Sequence, residues 1–524
     1  MSSILPEAIR LYSNAELRAM EAAHAKARPR FSLMQRAGEA VATLATDVIA
    51  ARKAKKRVLI LAGPGNNGGD AWVTARVLQA KKIPVLVWTP GEHKSSDPAA
   101  QKAQQTYRKA KGAVTRKCPT DGEFATYGLI VDGLFGIGLN RPPAAEFAAA
   151  IAAVNQRRER AGTPVLAIDI PSGLSADSGH AFGEAIAADF TLTFLGLKPG
   201  LYTADGVDCC GEIHIETLGA NPQTSVPAAK GELLNRERAA ALIPQRRRNS
   251  HKGSYGNAGI IGGAEGMVGA AVLAARAALH MGPGKVYLGL AADTAMSVDA
   301  INPEIMLRPA IKLAADADIN AFAVGMGLGD GKAAARALQV ALSRQRPIVI
   351  DADALNLMAS NPSIGAAFKA YASKHRANGR PQAILAPHPG EAARLLKTTP
   401  AKVQQDRIGA AHKLAACFSC IVVLKGAGTV IAMSDGRYFI NTSGNPGMAS
   451  GGMGDALSGM MAAFMAQGLS ALDAALLGVY LHGAAADACL MHGMGPLGLT
   501  ASEVIFEART LLNSGLEDHH DHLD

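Results

Sequence analysis

Arg57-Val58-Leu59-Ile60-Leu61-Ala62 is a short, unbroken apolar run that leads straight into Gly63-Pro64-Gly65-Asn66-Asn67-Gly68-Gly69-Asp70. A run of this length without polar alternation predicts a strand buried on both faces, the setting of a parallel strand. The pattern after it predicts a helix over residues 71–80 and a second strand at Val85-Leu86-Val87-Trp88. Strand, glycine-rich loop, helix and strand make the βαβ unit of a doubly wound α/β sheet. Upstream, residues 14–49 carry helix-like apolar spacing, with Ser13 or Asn14 as the cap.

Ligands of such sheets sit at the carboxyl ends of the strands, so the loops after the strands are where chemistry belongs. Three stand out. The first is the 63–70 loop. The second follows Leu129-Ile130-Val131 as Asp132-Gly133-Leu134-Phe135-Gly136-Ile137-Gly138-Leu139-Asn140-Arg141. The third follows Val165-Leu166-Ala167-Ile168 as Asp169-Ile170-Pro171-Ser172-Gly173. Any one of them reads equally as a tight turn of Gly, Asn and Asp, but three in register converge on one crevice. Neither of the first two is the Gly-x-Gly-x-x-Gly fingerprint, since Asn140 stands where the third glycine belongs, and a plain NAD-cofactor domain is the weaker reading.

Residues 219–227 are polar, proline-containing and without periodicity, which marks residues 220–230 as a linker. Short apolar strands and alanine-rich helices then resume, so the second domain is α/β as well. Its strands end in Gly262-Gly263, in Gly325-Met326-Gly327, in Asp351-Ala352-Asp353 with the loop continuing to Asn356, and in Pro387-His388-Pro389-Gly390-Glu391. His388 is aimed by the prolines on either side of it; a satisfied histidine and a functional one are the two readings. Gly266 to Ala271 head a long helix whose small residues allow either helix–sheet packing or the approach of a ring. Lys425-Gly426-Ala427-Gly428-Thr429 reads as a nucleotide contact or as a hairpin turn with an exposed lysine.

Gly444-Asn445-Pro446-Gly447-Met448-Ala449-Ser450-Gly451-Gly452-Met453-Gly454-Asp455 runs into a helical pattern. Unpaired N–H groups at such a helix start, with the positive end of its dipole behind them, are a seat for an anion. A carboxylate placed there is repelled by what binds unless it has a task. Taking a proton from a hydroxyl as it attacks a phosphoryl group is such a task, and an ordinary cap is the alternative. Together with Lys425, the nucleotide reading is favoured.

The length of 524 residues exceeds one core. The chain is 48% apolar and 19% charged, an ordinary soluble composition. No apolar run is expected to reach membrane-spanning length, and the N-terminus shows no basic segment followed by an apolar one. The basic residues behind the net charge of +9 are scattered apart from Arg246-Arg247-Arg248 and the 53–57 cluster, and aromatic residues are only 5%, which argues against nucleic acid; small anionic substrates explain the charge as well. Six cysteines make no disulfide framework, and Cys417-x-x-Cys420 reads as buried thiols at a helix-to-strand junction. Asp518-His519-His520-Asp521-His522 reads as part of a disordered end.

The first half, from the 63–70 and 132–141 loops and Asp169-Ile170-Pro171-Ser172-Gly173 to Thr193-Phe194-Leu195-Gly196-Leu197-Lys198-Pro199-Gly200, resembles the NAD(P)H-hydrate epimerase family over residues 10–218. The resemblance implies that Asn66, Asn67, Gly68, Gly69, Asp70, Gly136, Ile137, Gly138, Leu139, Asn140, Arg141, Pro142 and Asp169 bind the hydrated nucleotide. It implies that Asn67, Asp132 and Ser172 give oxygens to potassium. Asp169 is the acid–base candidate, and Lys198 is either a second participant or a phosphate contact. Residues 230–515 resemble the ribokinase-like ADP/ATP-dependent NAD(P)H-hydrate dehydratases, chiefly through 387–391 and 445–455. Here Lys425, Gly426, Ala427, Gly428, Thr429 and Gly454 would bind ADP or ATP, and Ala270, Gly327, His388 and Asp455 would contact the hydrate.

The implied organisation is an epimerase domain at 1–219, a linker at 220–230, a dehydratase domain at 231–515 and a disordered tail at 516–524. The resemblance implies a bifunctional enzyme using K⁺ in one domain and Mg²⁺ in the other, acting on NADH hydrate (NADHX) and NADPH hydrate (NADPHX). A cytoplasmic homo-oligomer is expected. The rival is a ribokinase-like vitamin or sugar kinase with a non-catalytic nucleotide-binding first domain; intact Asp132, Asp169 and Ser172 weigh against it.

Overall fold

The computed structural model describes residues 8–27, 32–91, 95, 97–221, 229–293, 296–377 and 382–516. They fall into two compact units, one over residues 10–231 and one over residues 232–516 with residues 8 and 9. The expected linker lies largely outside the described residues, as do residues 517–524 of the expected tail. Leu516, placed in that tail, is instead buried in the core of the second unit.

The first unit holds a parallel sheet whose described strands are ordered Ala113–Thr115, Val85–Trp88, Val58–Ala62, Leu129–Gly133, Val165–Ile168, Phe190–Phe194 and Glu212–Glu216. Val58 to Ala62 are wholly buried, which is why that strand shows no polar alternation. Burying each larger side chain contributes about 1.5–3 kcal/mol. Strand order reverses between Val58–Ala62 and Leu129–Gly133, so the crevice belongs at the ends of those two strands.

The loop expected at 63–70 is shorter than its glycines suggested, because the helix Asn66–Ala80 begins inside it. A Cβ on Gly68 would stand 2.0 Å from the Gly63 carbonyl oxygen, and one on Gly63 would stand 1.8 Å from that of Leu134. The glycines therefore let the helix close onto the strand ends. Residues 14–49 hold two helices, Asn14–Ala27 and Leu33–Ala51. Ser13 caps the first, its N–H donating to Glu16 Oε2 at 2.7 Å.

In the second unit the order runs Gly231–Leu234, Tyr438–Asn441, Val430–Ala432, Ile421–Leu424, Ala383–Leu385, Ile348–Ile350, Ala321–Val324, Asn257–Gly262, Lys285–Leu290 and Met306–Pro309. The strands from Ile421–Leu424 to Met306–Pro309 are parallel; Val430–Ala432 and Tyr438–Asn441 run antiparallel. Its switch point lies between Asn257–Gly262 and Ala321–Val324. The helix Ala352–Ser360 starts directly after Asp351, where a loop to Asn356 was expected. Ala471–Met491 is, against expectation, long and apolar enough to span a bilayer by length and composition, but 72% of its apolar window is buried in this core. Cys420 is buried as expected, whereas Cys417 is exposed.

Two candidate active sites

At the switch point of the first unit lies a cavity of about 760 Å³. Asn66, Asn67, Asp70, Gly136, Ile137, Gly138, Leu139 and Asp169 line it; Gly68 and Gly69 are buried behind its wall, and Asn140, Arg141 and Pro142 follow in the turn beyond its lining. Gly65 caps the helix Asn66–Ala80 without any side-chain hydrogen bond, which leaves backbone N–H groups at the cavity wall for an anion.

Asp169 sits at φ +67, a left-handed conformation that is rare for a residue with a side chain. Its N–H donates to the Leu192 carbonyl at 2.8 Å, and its Oδ1 accepts from the Phe194 N–H at 3.1 Å and from Lys198 Nζ at 2.6 Å. Lys198 is buried and also donates to Thr193 Oγ1 at 2.7 Å and the Phe194 carbonyl at 3.0 Å. Glu21 and Asp70 share the cavity wall with Asp169. Burial, then the Asp169 charge, raises the proton affinity of Glu21, and burial, then Asp169 and Glu21, raises that of Asp70 well above its ordinary value. Glu21 was missed in the sequence; its signal is an acid one turn after Leu17, on a face that otherwise packs inward.

Asp132 and Ser172 are buried and bonded together: Ser172 Oγ donates to Asp132 Oδ1 at 2.7 Å and the Ser172 N–H to Oδ2 at 2.8 Å. Ser172 Oγ accepts from the Phe135 N–H at 2.8 Å, and Asn67 Nδ2 donates to the Phe135 carbonyl at 2.9 Å. The three residues thus gather on one stretch of main chain. Burial pushes the Asp132 carboxyl up to about 6, and no basic side chain pairs with it among the described residues. A buried carboxylate among neutral oxygens fits a weakly demanding hard cation such as potassium.

The second unit sets Gly327, His388 and Lys425 after strand ends and Ala270, Gly454 and Asp455 in the first turns of helices. Gly327, at φ +58, packs against Ala270: a Cβ on it would lie 3.3 Å from Ala270 Cβ. His388 caps the helix Pro389–Leu396, its Nδ1 accepting from the Gly390 N–H at 2.9 Å while Nε2 stands 3.4 Å from Glu391 Oε1. Burial, then Lys425 and Arg394, lowers its proton affinity, which favours the neutral imidazole.

Lys425 does begin a hairpin between Ile421–Leu424 and Val430–Ala432, but its ammonium pairs with Asp351 Oδ1 at 2.6 Å instead of standing free. Arg407, buried beneath that turn, donates to the Leu424 and Lys425 carbonyls at 3.2 Å each. Gly426 takes φ +134 above the Arg407 guanidinium, and Thr429 Oγ1 donates to the Gly426 carbonyl at 2.9 Å. Asp455 is at the third position of the helix Met453–Ala466, whose cap, Gly452, offers no side chain. Burial first, then Asp351, pushes Asp455 up to about 7, against a lowering pull from Lys425. A half-buried carboxyl of that affinity beside a lysine and an uncapped helix start is equipped to take a proton next to a phosphate.

Two doubly wound units, the first with a cavity at its switch point and the second with Lys425, Asp351 and Asp455 gathered beside strand ends and a helix start, define a chain of two α/β domains built to hold ligands. A family model described as YjeF-related protein N-terminus matches residues 30–200, and one described as NAD(P)H-hydrate dehydratase matches residues 258–505. The chain is 36% identical over 513 residues to the bifunctional NAD(P)H-hydrate repair enzyme Nnr of Coxiella burnetii, covering 96% of this chain and 99% of the relative. It is 35% identical to the enzyme of that name from Escherichia coli, over 94% and 91%. The solved ADP/ATP-dependent NAD(P)H-hydrate dehydratase of Bacillus subtilis aligns with 54% of this chain and 98% of its own at 29% identity, with a TM-score of 0.45. The chain belongs to the bifunctional NAD(P)H-hydrate repair enzymes. The vitamin or sugar kinase reading is not favoured, because the similarity runs through both units.

Proposed function

We propose that the first unit interconverts the R and S forms of NADH hydrate and NADPH hydrate, and that the second dehydrates the S form at the expense of ADP or ATP. Similarity to bifunctional repair enzymes across both units, over nearly their whole length, carries this reading.

In the first unit the nucleotide phosphates would lie on the N–H groups of the Asn66–Ala80 helix and the 136–142 turn, with C6 of the nicotinamide at Asp169. Opening and reclosing a carbon that bears both a hydroxyl and a ring nitrogen needs a proton moved on and off, and Asp169 is placed for it by Lys198. Asn67, Asp132 and Ser172 would hold K⁺, which neutralises the buried Asp132. In the second unit Asp455 takes the proton of the C6 hydroxyl as its oxygen bonds to the terminal phosphoryl group, and the bond to the AMP or ADP leaving group breaks. Loss of phosphate from C6 and of a proton from C5 then restores the dihydropyridine. Lys425 to Thr429 and Gly454 would hold the nucleotide, and Ala270, Gly327 and His388 the hydrate. Mg²⁺ would come on the nucleotide phosphates, whose charge it neutralises. A homo-oligomer working in the cytoplasm, without nucleic acid or membrane, suits this role.

The test is recovery of reduced-nicotinamide absorbance from a mixed-epimer NADH hydrate with Mg²⁺, K⁺ and either ADP or ATP. Complete rapid recovery is expected. Recovery that stalls near half removes the epimerase, and none with either donor removes the dehydratase.

A further inference from the structure

Paired with Lys425 is a buried carboxylate that the steps above leave unused. Asp351 ends the strand Ile348–Ile350 and is 1% exposed. Its Oδ1 accepts from Lys425 Nζ at 2.6 Å and from the Ala352 N–H at 2.8 Å, and its Oδ2 accepts from Ser458 Oγ at 2.7 Å. Ser458 is wholly buried and stands three residues after Asp455, on the same side of the helix Met453–Ala466. A Cβ on Gly454 would lie 3.2 Å from Lys425 Nζ and 3.8 Å from Asp351 Oδ2, so both charges rest against the first turn of that helix. Ala352 adopts φ +47, strain that turns the chain where Asp351 meets its partners.

We infer that Asp351 is a positioning residue of the dehydratase site, one that holds the Lys425 ammonium between itself and the phosphate seat and so leaves Asp455 without a cationic partner. The inference rests on the dehydratase reading. A buried ion pair returns little stability, because desolvation offsets most of its attraction. What this pair fixes is where the cation stands. Asp455 makes no hydrogen bond or ion pair among the described residues, and the charged groups that face it are Asp351, Lys425, Glu391 and Asp353. With Asp351 neutral, the repulsion would be lost and Lys425 would be free to turn to Asp455. Both changes draw the proton affinity of Asp455 down.

The experiment compares wild type, Asp351→Asn and Ser458→Ala in the full chain, measuring dehydratase kcat/KM for the hydrate from pH 5 to 9, with a thermal melt to report folding. Asp351→Asn is expected to lower the plateau about tenfold or more and to move the acid limb down by about one pH unit or more. Ser458→Ala keeps the Asp351 charge and its pair with Lys425 and is expected to leave the limb near the wild-type pH. A purely structural role would lower the plateau and leave the limb in place, and a limb at the wild-type pH in Asp351→Asn overturns the inference. If Asp351→Asn does not fold, Asp351→Ser, which also removes the charge, is read by the same shift. A wild-type chain inactive with both donors overturns the dehydratase reading itself, an outcome distinct from an active enzyme with an unmoved limb.

Discussion

Lys198 Nζ stands 2.6 Å from Asp169 Oδ1 at the floor of the first cavity, with the lysine buried and the aspartate on strained main chain. The lysine has neutral acceptors in Thr193 and Phe194, but Asp169 is the carboxylate it bonds directly among the described residues. Asp169→Asn is therefore expected to lower the epimerase rate by roughly 10²–10⁴ and to leave the dehydratase untouched. Mixed-epimer recovery would then stop near half after the fast phase. A single complete phase would remove Asp169 from the chemistry. Lys198→Met is expected to destabilise the first unit by about 3–5 kcal/mol, as breaking a buried pair does, read by denaturant unfolding.

Gly454 sets a second expectation, in which stability and activity part. Its φ is not in the left-handed region and it lies inside the helix Met453–Ala466, so alanine there gains about 0.5–1 kcal/mol in helix preference. The new methyl would meet Lys425 Nζ at 3.2 Å, and that ammonium is held by Asp351. Gly454→Ala is expected to keep or raise the melting temperature of the second unit while raising KM for ADP or ATP and lowering kcat at least tenfold. Unchanged kinetics would show that the phosphates do not use this turn.

Both sheets were legible because their strands are short apolar runs ending in Gly, Asp and Pro, and local pattern is enough to see that. Asp132, Asp169, Lys425 and Asp455 were legible as residues, each at the end of a strand or the start of a helix. The partner of Lys425 was not. Asp351 is 74 residues from Lys425 and 107 from Ser458, so a pairing that only the sheet brings about leaves no local mark. Glu21 is likewise brought to the cavity by the packing of its helix. The start of the helix at Asn66 was hidden for another reason. Glycines at 68 and 69 argue for a loop by propensity, yet close packing against Gly63 and Met34 requires them inside a helix.

His482 gives a pH dependence of stability. It is buried on the helix Ala471–Met491, its Nε2 finds no hydrogen-bond partner among the described residues, and burial, then Lys425, lowers its pKa to about 4. The unfolded chain takes the proton below about 6.5 and the folded unit only below about 4. Stability is therefore full above 6.5 and declines as pH falls through that window, by about 3 kcal/mol. Denaturant unfolding of wild type and His482→Leu between pH 4 and 7 isolates the effect, since other groups titrate alike in both. Parallel curves would mean that the imidazole gains a partner in solution.

Asp132 carries the last expectation. Its oxygens accept three hydrogen bonds, from the Leu134 and Ser172 N–H groups and from Ser172 Oγ, yet no cation meets its charge among the described residues. Three neutral donors do not offset the desolvation of a carboxylate at zero exposure, which is why an alkali cation bound with Asn67 and Ser172 would stabilise the turn at Phe135. Exchanging K⁺ for tetramethylammonium is expected to lower the melting temperature of the first unit and the epimerase rate together, and to leave dehydratase turnover of the pure S epimer unchanged. Asp132→Asn removes the charge but turns an amide NH₂ toward groups that are themselves donors. It is expected to be less stable than wild type in K⁺ and to lose the response to K⁺. A variant that still melts higher in K⁺ than in tetramethylammonium would place the cation elsewhere.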